Sequence, residues 1–181
     1  MLNVVISVII NTALLVIWLS LFYLCNRRKK IILLGLVFSY LSFVLSLTVY
    51  YFINVTNIPL TEAQHKGLVA PIVEESSKLL VTAFAFRFAH DRLSPGVKLF
   101  GASLGSGFAY WENFGHVTNP LTVLFRGGLP WTMHIVTATL TAWGLWRALK
   151  YKYKSRWLFT PLLSMLIHGA FNLTVLAFGF H

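Results

Sequence analysis

Charge is absent from long stretches of this chain, and their lengths constrain the fold more than any motif does. Residues 1–26, 31–61, 99–111, 127–146 and 157–181 contain no Asp, Glu, Lys or Arg. A spanning helix needs about 20 predominantly apolar residues, and the uncharged runs supply such segments repeatedly. With 57% hydrophobic and 11% charged residues and a mean hydropathy of +0.72, the chain reads as a multi-pass integral membrane protein. Residues 1–26 are too long for the apolar part of a signal peptide and lack a basic leader, so they read as a first span. With an interrupted segment at 67–88, the pattern predicts six transmembrane helices: 2–24, 31–53, 67–88, 99–117, 131–149 and 157–178. The apolar runs are continuous rather than alternating, which excludes a β-barrel, and helices satisfy their own backbone in lipid. The expectation is an all-α polytopic bundle, a single domain over 1–181 with its motif-bearing core at 67–178.

The formal net charge of +10 acquires meaning from where the cations lie. Arg27, Arg28, Lys29 and Lys30 follow the first span, Arg87, Arg92 and Lys98 flank the third connection, and Arg147, Lys150, Lys152, Lys154 and Arg156 fill the fifth. Only Lys66 and Arg126 lie on the other side. This alternation is a topology signal, so the expected partner is the lipid bilayer and no nucleic acid. By the positive-inside rule both termini and the connections at 54–66 and 118–130 are extracytoplasmic. The basic loops also suit contact with anionic lipid. Cys25, the only cysteine, has no partner for an internal disulfide.

Of five acidic residues, Glu62, Glu74, Glu75, Asp91 and Glu112, three fall inside predicted spans. A carboxylate at the centre of a span costs about 2.5 kcal/mol or more, so it faces the bundle interior and has a task there. One structural reading pairs Glu74 with Lys78 at i,i+4, but it leaves Glu75 and Glu112 without a role. The topology sets the depths independently. Glu74 and Glu75 lie roughly 12 Å below the outer boundary, Glu112 near the outer end of its helix, His134 in the first turn of the next, and His168 near mid-membrane with Asn172 one turn further out. Four helices therefore carry polar residues to one outer half, and Arg126 sits in the loop above them.

Local spacing points the same way. His168 and Asn172 share a helical face at i,i+4, as do Phe108 and Glu112, with His116 continuing that line. Asn113 reads equally well as an interhelical hydrogen-bond partner. His65, His90 and His181 read as interfacial or terminal residues. Gly101 and Gly105 form a G-x-x-x-G pair with Ser103 and Gly107 nearby, a small face for close packing. Pro71, one turn before Glu74, predicts a kink that frees backbone carbonyls beside the carboxylates.

Carboxylates and imidazoles in a protected cavity can activate water, with glutamate accepting its proton and histidine or asparagine stabilising the oxyanion. Alternatively, two His and one Glu can hold zinc with an open position for water. The chain has no H-E-x-x-H and no Gly-rich phosphate loop.

Four stretches carry a family resemblance: EESSK at 74–78, GFAYWEN at 107–113, RGGLPWTMH at 126–134 with the Thr-rich helix after it, and HGAFN at 168–172. In this order, on separate helices, they resemble the motifs of the PrsW family of intramembrane proteases, part of the larger group containing CAAX prenyl endopeptidases and Abi-type bacteriocin-immunity proteins. The resemblance implies cleavage of a peptide bond in or beside a transmembrane segment of another membrane protein, in a prokaryotic plasma membrane. The best-known family role is the extracytoplasmic cut of an anti-sigma factor. It also implies a catalytic set of Glu74, Glu75, His134 and His168, with Glu112 where CAAX-type relatives have histidine and Asn172 as the oxyanion-stabilising amide. Lys78, Asn113 and Arg126 support that set. The family has been described both as glutamate-dependent and as metal-dependent, and both stay open: Glu74 or Glu75 as general base, or zinc on Glu112, His134 and His168. Two rival functions are a proton- or ion-coupled transporter, for which the expected internal repeat is missing, and a catalytically silent binding or immunity protein of the same fold.

Overall fold

The computed structural model describes residues 1–151 and 154–178, and every regular element among them is helical. Lys152 and His181 lie outside the described residues. The long helices are α1 (Leu2–Asn26), α2 (Lys29–Val55), α4 (Ala70–Leu93), α5 (Val97–Asn113), α7 (Leu129–Lys150) and α8 (Lys154–Ala177). Two short ones, α3 (Glu62–Gln64) and α6 (Pro120–Arg126), lie in the connections expected outside the membrane.

Among the described residues, three helical stretches are long and apolar enough to cross a membrane: Leu2–Asn26, Lys29–Val55 and Phe159–Ala177. α4 carries Glu74, Glu75 and Lys78 in its buried face and α5 has only 17 residues. These polar or short helices depend on the others to shield them.

α5 lies between α2 and α7, α8 packs on α7, and α4 closes the ring by touching both α2 and α8. α1 leans on α5 and α6 from outside and is largely exposed. The buried faces are built from small and polar residues. On α2, Ser39, Ser42 and Ser46 are buried at helical spacing; α5 turns Ser103 and Gly107 toward α2 and Gly101 and Gly105 toward α7. In lipid, where apolar contact alone does not drive helices together, such close packing supplies the attraction. At Gly105 the neighbour is backbone: a Cβ there would fall 2.7 Å from the carbonyl carbon of His134 on α7. The small face expected on this helix is thus what seats α7 against α5.

The chain departs from a plain α-helix before α4. Residues His65–Val69 form a π-helical turn in which the Ala70 N–H bonds the His65 carbonyl. The next carbonyl in that register, Lys66, would need the N–H of Pro71, which proline lacks. Pro71 therefore produces a wide turn at its expected place, with an orphaned acceptor. A second irregularity, non-helical backbone at Ala89 (φ −136°, ψ 26°), lies near the other end of α4. α8 begins at Lys154, so the basic fifth connection is shorter than expected and its last cations belong to the helix.

Candidate active site

α4 presents Glu74 and Glu75 in different directions, as adjacent residues about 100° apart on a helix must. Glu75 is fully buried. Its Oε1 accepts three bonds, from Lys78 Nζ at 2.7 Å, His168 Nδ1 at 2.9 Å and Thr137 Oγ1 at 3.1 Å. Lys78, equally buried, thus pairs with Glu75 at i,i+3 and not with Glu74 at i,i+4. Its ammonium also lies 2.9 Å from His134 Nδ1 and 4.3 Å from the centre of the Phe108 ring. Glu74 is engaged differently: Tyr50 Oη donates to its Oε1 at 3.0 Å, and its Oε2 stands 3.9 Å from His168 Nε2.

Since a carboxylate only accepts, His168 Nδ1 carries the proton in its bond to Glu75, leaving Nε2 as the lone-pair nitrogen toward Glu74. His134 is placed by α7. Pro130 opens the helix just after Gly127 and Gly128, buried Trp131 donates to Ser106 Oγ on α5 at 2.9 Å, and the Gly105 contact brings the next turn close. His134 Nε2 then lies 2.6 Å from Glu112 Oε2. Phe108 and Glu112, predicted to share a face, both meet this imidazole.

Glu112 Oε1 is gripped by Arg126 Nη2, and Arg126 Nε donates to Asn113 Oδ1 at 2.9 Å. Asn113 Nδ2 donates to Asn11 Oδ1 at 3.2 Å, and Asn11 Nδ2 to the Tyr110 carbonyl at 3.0 Å. Asn113 is therefore the interhelical partner its sequence position allowed, in a chain of bonds from α1 to Glu112. Asn172 Nδ2 donates to the Lys66 carbonyl at 2.9 Å, capturing the acceptor that Pro71 leaves open. The approach is close because Gly169 has no side chain; a Cβ there would lie 2.6 Å from the Gly67 carbonyl oxygen.

These groups border two adjoining cavities. One of about 300 Å³ touches Glu112, Arg126, His134, His168 and Asn172 and continues along Phe171 and Val175. The other, about 340 Å³, is reached by Tyr50, Lys66, Glu74, Glu112, His168 and Asn172. His116 borders both, His65 stacks on Tyr50 with ring centres 5.7 Å apart, and His90 contacts Asp91 at 3.2 Å away from the cluster.

The residues also suit a metal ion. One ligand atom from each of Glu74, His134 and His168 lies within 4.8 Å of the others. Glu74 Oε2, Glu75 Oε2 and Glu112 Oε2 are buried with no aligned hydrogen-bond donor, the last with His134 Nε2 beside it. Two imidazole nitrogens facing the Glu74 and Glu112 carboxylates make a site that a divalent cation would complete. The carboxylate behind His168 is the outer support such a ligand usually has. Geometry therefore groups Glu74 with the histidines, whereas sequence reasoning chose Glu112 for that set; Glu112 remains beside it.

Three contributors were not anticipated. Thr137 lies one turn beyond His134 in the Thr-rich stretch and was legible in principle. Asn11 is an isolated amide inside the first span, a pattern that often marks an interhelical bond. Tyr50, 24 residues from Glu74, has no local signature.

A family model for the PrsW family intramembrane metalloproteases matches residues 27–180, and the chain belongs to that family. It is accordingly a membrane-embedded protease, whose α1 precedes the matched region. No curated protein and no solved structure gives a significant match.

Proposed function

We propose that this protein hydrolyses a peptide bond in or next to a transmembrane segment of another membrane protein, an anti-sigma-factor-like substrate being one such class. The wider kinship is with CAAX prenyl endopeptidases and Abi proteins. It acts as a single domain over 1–181 with its working core at 67–178, in a prokaryotic plasma membrane. Six helices cross, both termini are extracytoplasmic, and the site opens in the outer half of the bilayer. The observation that carries this reading is the pair formed by Glu74 Oε2 and His168 Nε2. They stand 3.9 Å apart beside a cavity, too far for a direct bond and suited to one water donating to both.

In this arrangement Glu74 is the general base. It takes a proton from the bridging water as the water oxygen attacks the peptide carbonyl, and the proton then passes to the leaving amine. Glu75, whose Oε1 takes three donors, is a positioning residue: it fixes the His168 tautomer and holds Lys78. Asn172, with one amide hydrogen on Lys66, offers the second to the developing oxyanion. Arg126 and Asn113 hold Glu112 at the cavity wall beside His134.

The Lys78–His134 bond separates the two mechanisms open to this family. When Lys78 donates to Nδ1, His134 carries its proton on Nε2 and faces Glu112 as a donor. An ammonium only donates, so His134 Nε2 would join Glu74 and His168 around zinc only on losing that proton, with Glu112 the carboxylate left beside the cavity. Zinc held there supplies a Lewis acid that polarises a carbonyl and lowers the pKa of water.

The test is cleavage of a panel of single-span membrane peptides by the purified protein, wild type beside Glu74→Gln and His168→Ala. Each is assayed with and without a chelator, and with zinc restored. Cleavage by the wild type alone supports the proposal, and loss on chelation with recovery on zinc assigns the metal. Cleavage by either variant at the wild-type rate, or by none of the proteins, contradicts it.

A further inference from the structure

Lys30 and Tyr50 lie on one helix 20 residues apart, about 30 Å at the α-helical rise, so the start of α2 is at the end of the bundle away from the acid cluster. There the α1–α2 turn meets the α4–α5 turn. Arg28 Nη1 donates to the Pro95 carbonyl at 2.6 Å, and Gly96 sits against Ile31. The two turns are fixed relative to each other.

Between them runs a groove of about 690 Å³, lined by Lys30, Ile31, Leu33, Leu34, Val37 and Arg92. Its composition is one-sided: two cations and four aliphatic side chains. Leu33 and Val37 are 60% and 59% exposed. Neither Lys30 nor Arg92 has an acidic partner among the described residues, and the acid nearest in sequence, Asp91, contacts His90. Lys29 turns to the other flank of α2, over the Tyr23 ring at 5.3 Å. Lys30 and Arg92 are both exposed, and the groove they border with four aliphatic side chains contains no carboxylate.

We propose that this groove binds one glycerophospholipid with an anionic headgroup. The phosphate sits between Lys30 and Arg92, and an acyl chain runs along Leu33, Leu34 and Val37 toward the middle of the bundle. The charge selects an anionic over a zwitterionic headgroup. The apolar wall continuous with the cations selects a lipid over free phosphate, which would leave that wall uncovered. This assignment is independent of the proteolytic mechanism.

The experiment is thermal unfolding of the full-length protein in a neutral detergent with added phosphatidylglycerol, phosphatidylcholine or inorganic phosphate at matched ionic strength. The wild type is compared with Lys30→Gln/Arg92→Gln and with Arg87→Gln/Lys150→Gln, which removes the same charge from the same end outside the groove. Phosphatidylglycerol is expected to raise the wild-type midpoint by about 2–4 °C over phosphatidylcholine. The groove pair loses this difference and the control pair keeps it. Equal shifts with the two lipids, an equal loss in both pairs, or a full shift with inorganic phosphate would each overturn the proposal. Because each protein is its own reference, a change in the variants' intrinsic stability does not affect the comparison.

Discussion

Glu75 and Lys78 lie in the interior of the bundle, 2.7 Å apart and without exposure, whereas Arg87, Arg92 and Lys150 stand exposed at the far end, none with an acidic partner among the described residues. Both regions are charged, but they hold charge under different rules. Desolvating an ion pair costs several kcal/mol per ion, recovered only through close geometry and further hydrogen bonds. The interior has that geometry, with the Glu75 oxygen shared among a lysine, a histidine and a threonine. At the far end, charge costs little, makes few specific bonds and contributes orientation and lipid attraction. Buried charge in this protein therefore marks a built site, while the exposed cations follow the weaker rule of solvated charge.

This contrast is broken most severely by Lys78→Met, which leaves the Glu75 carboxylate buried and unpaired. A loss of about 3–5 kcal/mol in reversible unfolding is expected, with cleavage abolished. Adding Glu75→Gln in the same protein should recover much of the stability and none of the activity, which a double-mutant cycle measures as coupling. Next in size is Asn11→Leu. It removes both bonds by which α1 reaches Tyr110 and Asn113, and an unfolding loss of about 1–3 kcal/mol is expected. Cleavage should fall through kcat, because Arg126 loses its fixed partner beside Glu112. Tyr50→Phe removes one hydrogen bond to a carboxylate, about 1.5 kcal/mol, equivalent to roughly tenfold in rate if all of it positions Glu74; cleavage kinetics measure it. Smallest is Arg87→Gln at the exposed end, which should leave the unfolding midpoint within about 1 °C. A large effect there would mean that the two ends obey the same rule after all.

What could be read from the sequence follows the same division. Glu74, Glu75, Glu112, His134 and His168 were legible as one cluster because each is anomalous in its setting, and the structure brings them together. The Gly105 face was legible from spacing alone. The partner of Lys78 was not: positions i+3 and i+4 are both neighbours on a helix, and Glu75 prevails because His168 and Thr137 converge on the same oxygen. Tyr50 and Asn11 act across 24 and 102 residues of sequence, where no local pattern records a contact. α6 was missed because seven residues are too few for a periodic signal. The π-turn at His65–Val69 was anticipated only as a kink, since Pro71 predicts a missing donor but not which residue accepts the orphaned bond.

The central claim is that the adjacent glutamates divide their labour, Glu74 acting on water and Glu75 holding the site together. Its most direct test is to measure cleavage and thermal unfolding on Glu74→Gln and Glu75→Gln side by side. The account predicts that neither variant cleaves, that Glu74→Gln unfolds at the wild-type midpoint with Tyr50 still bonded to the amide oxygen, and that Glu75→Gln unfolds well below it. A Glu75→Gln protein that is both stable and active, or a Glu74→Gln protein that cleaves like the wild type, would contradict it.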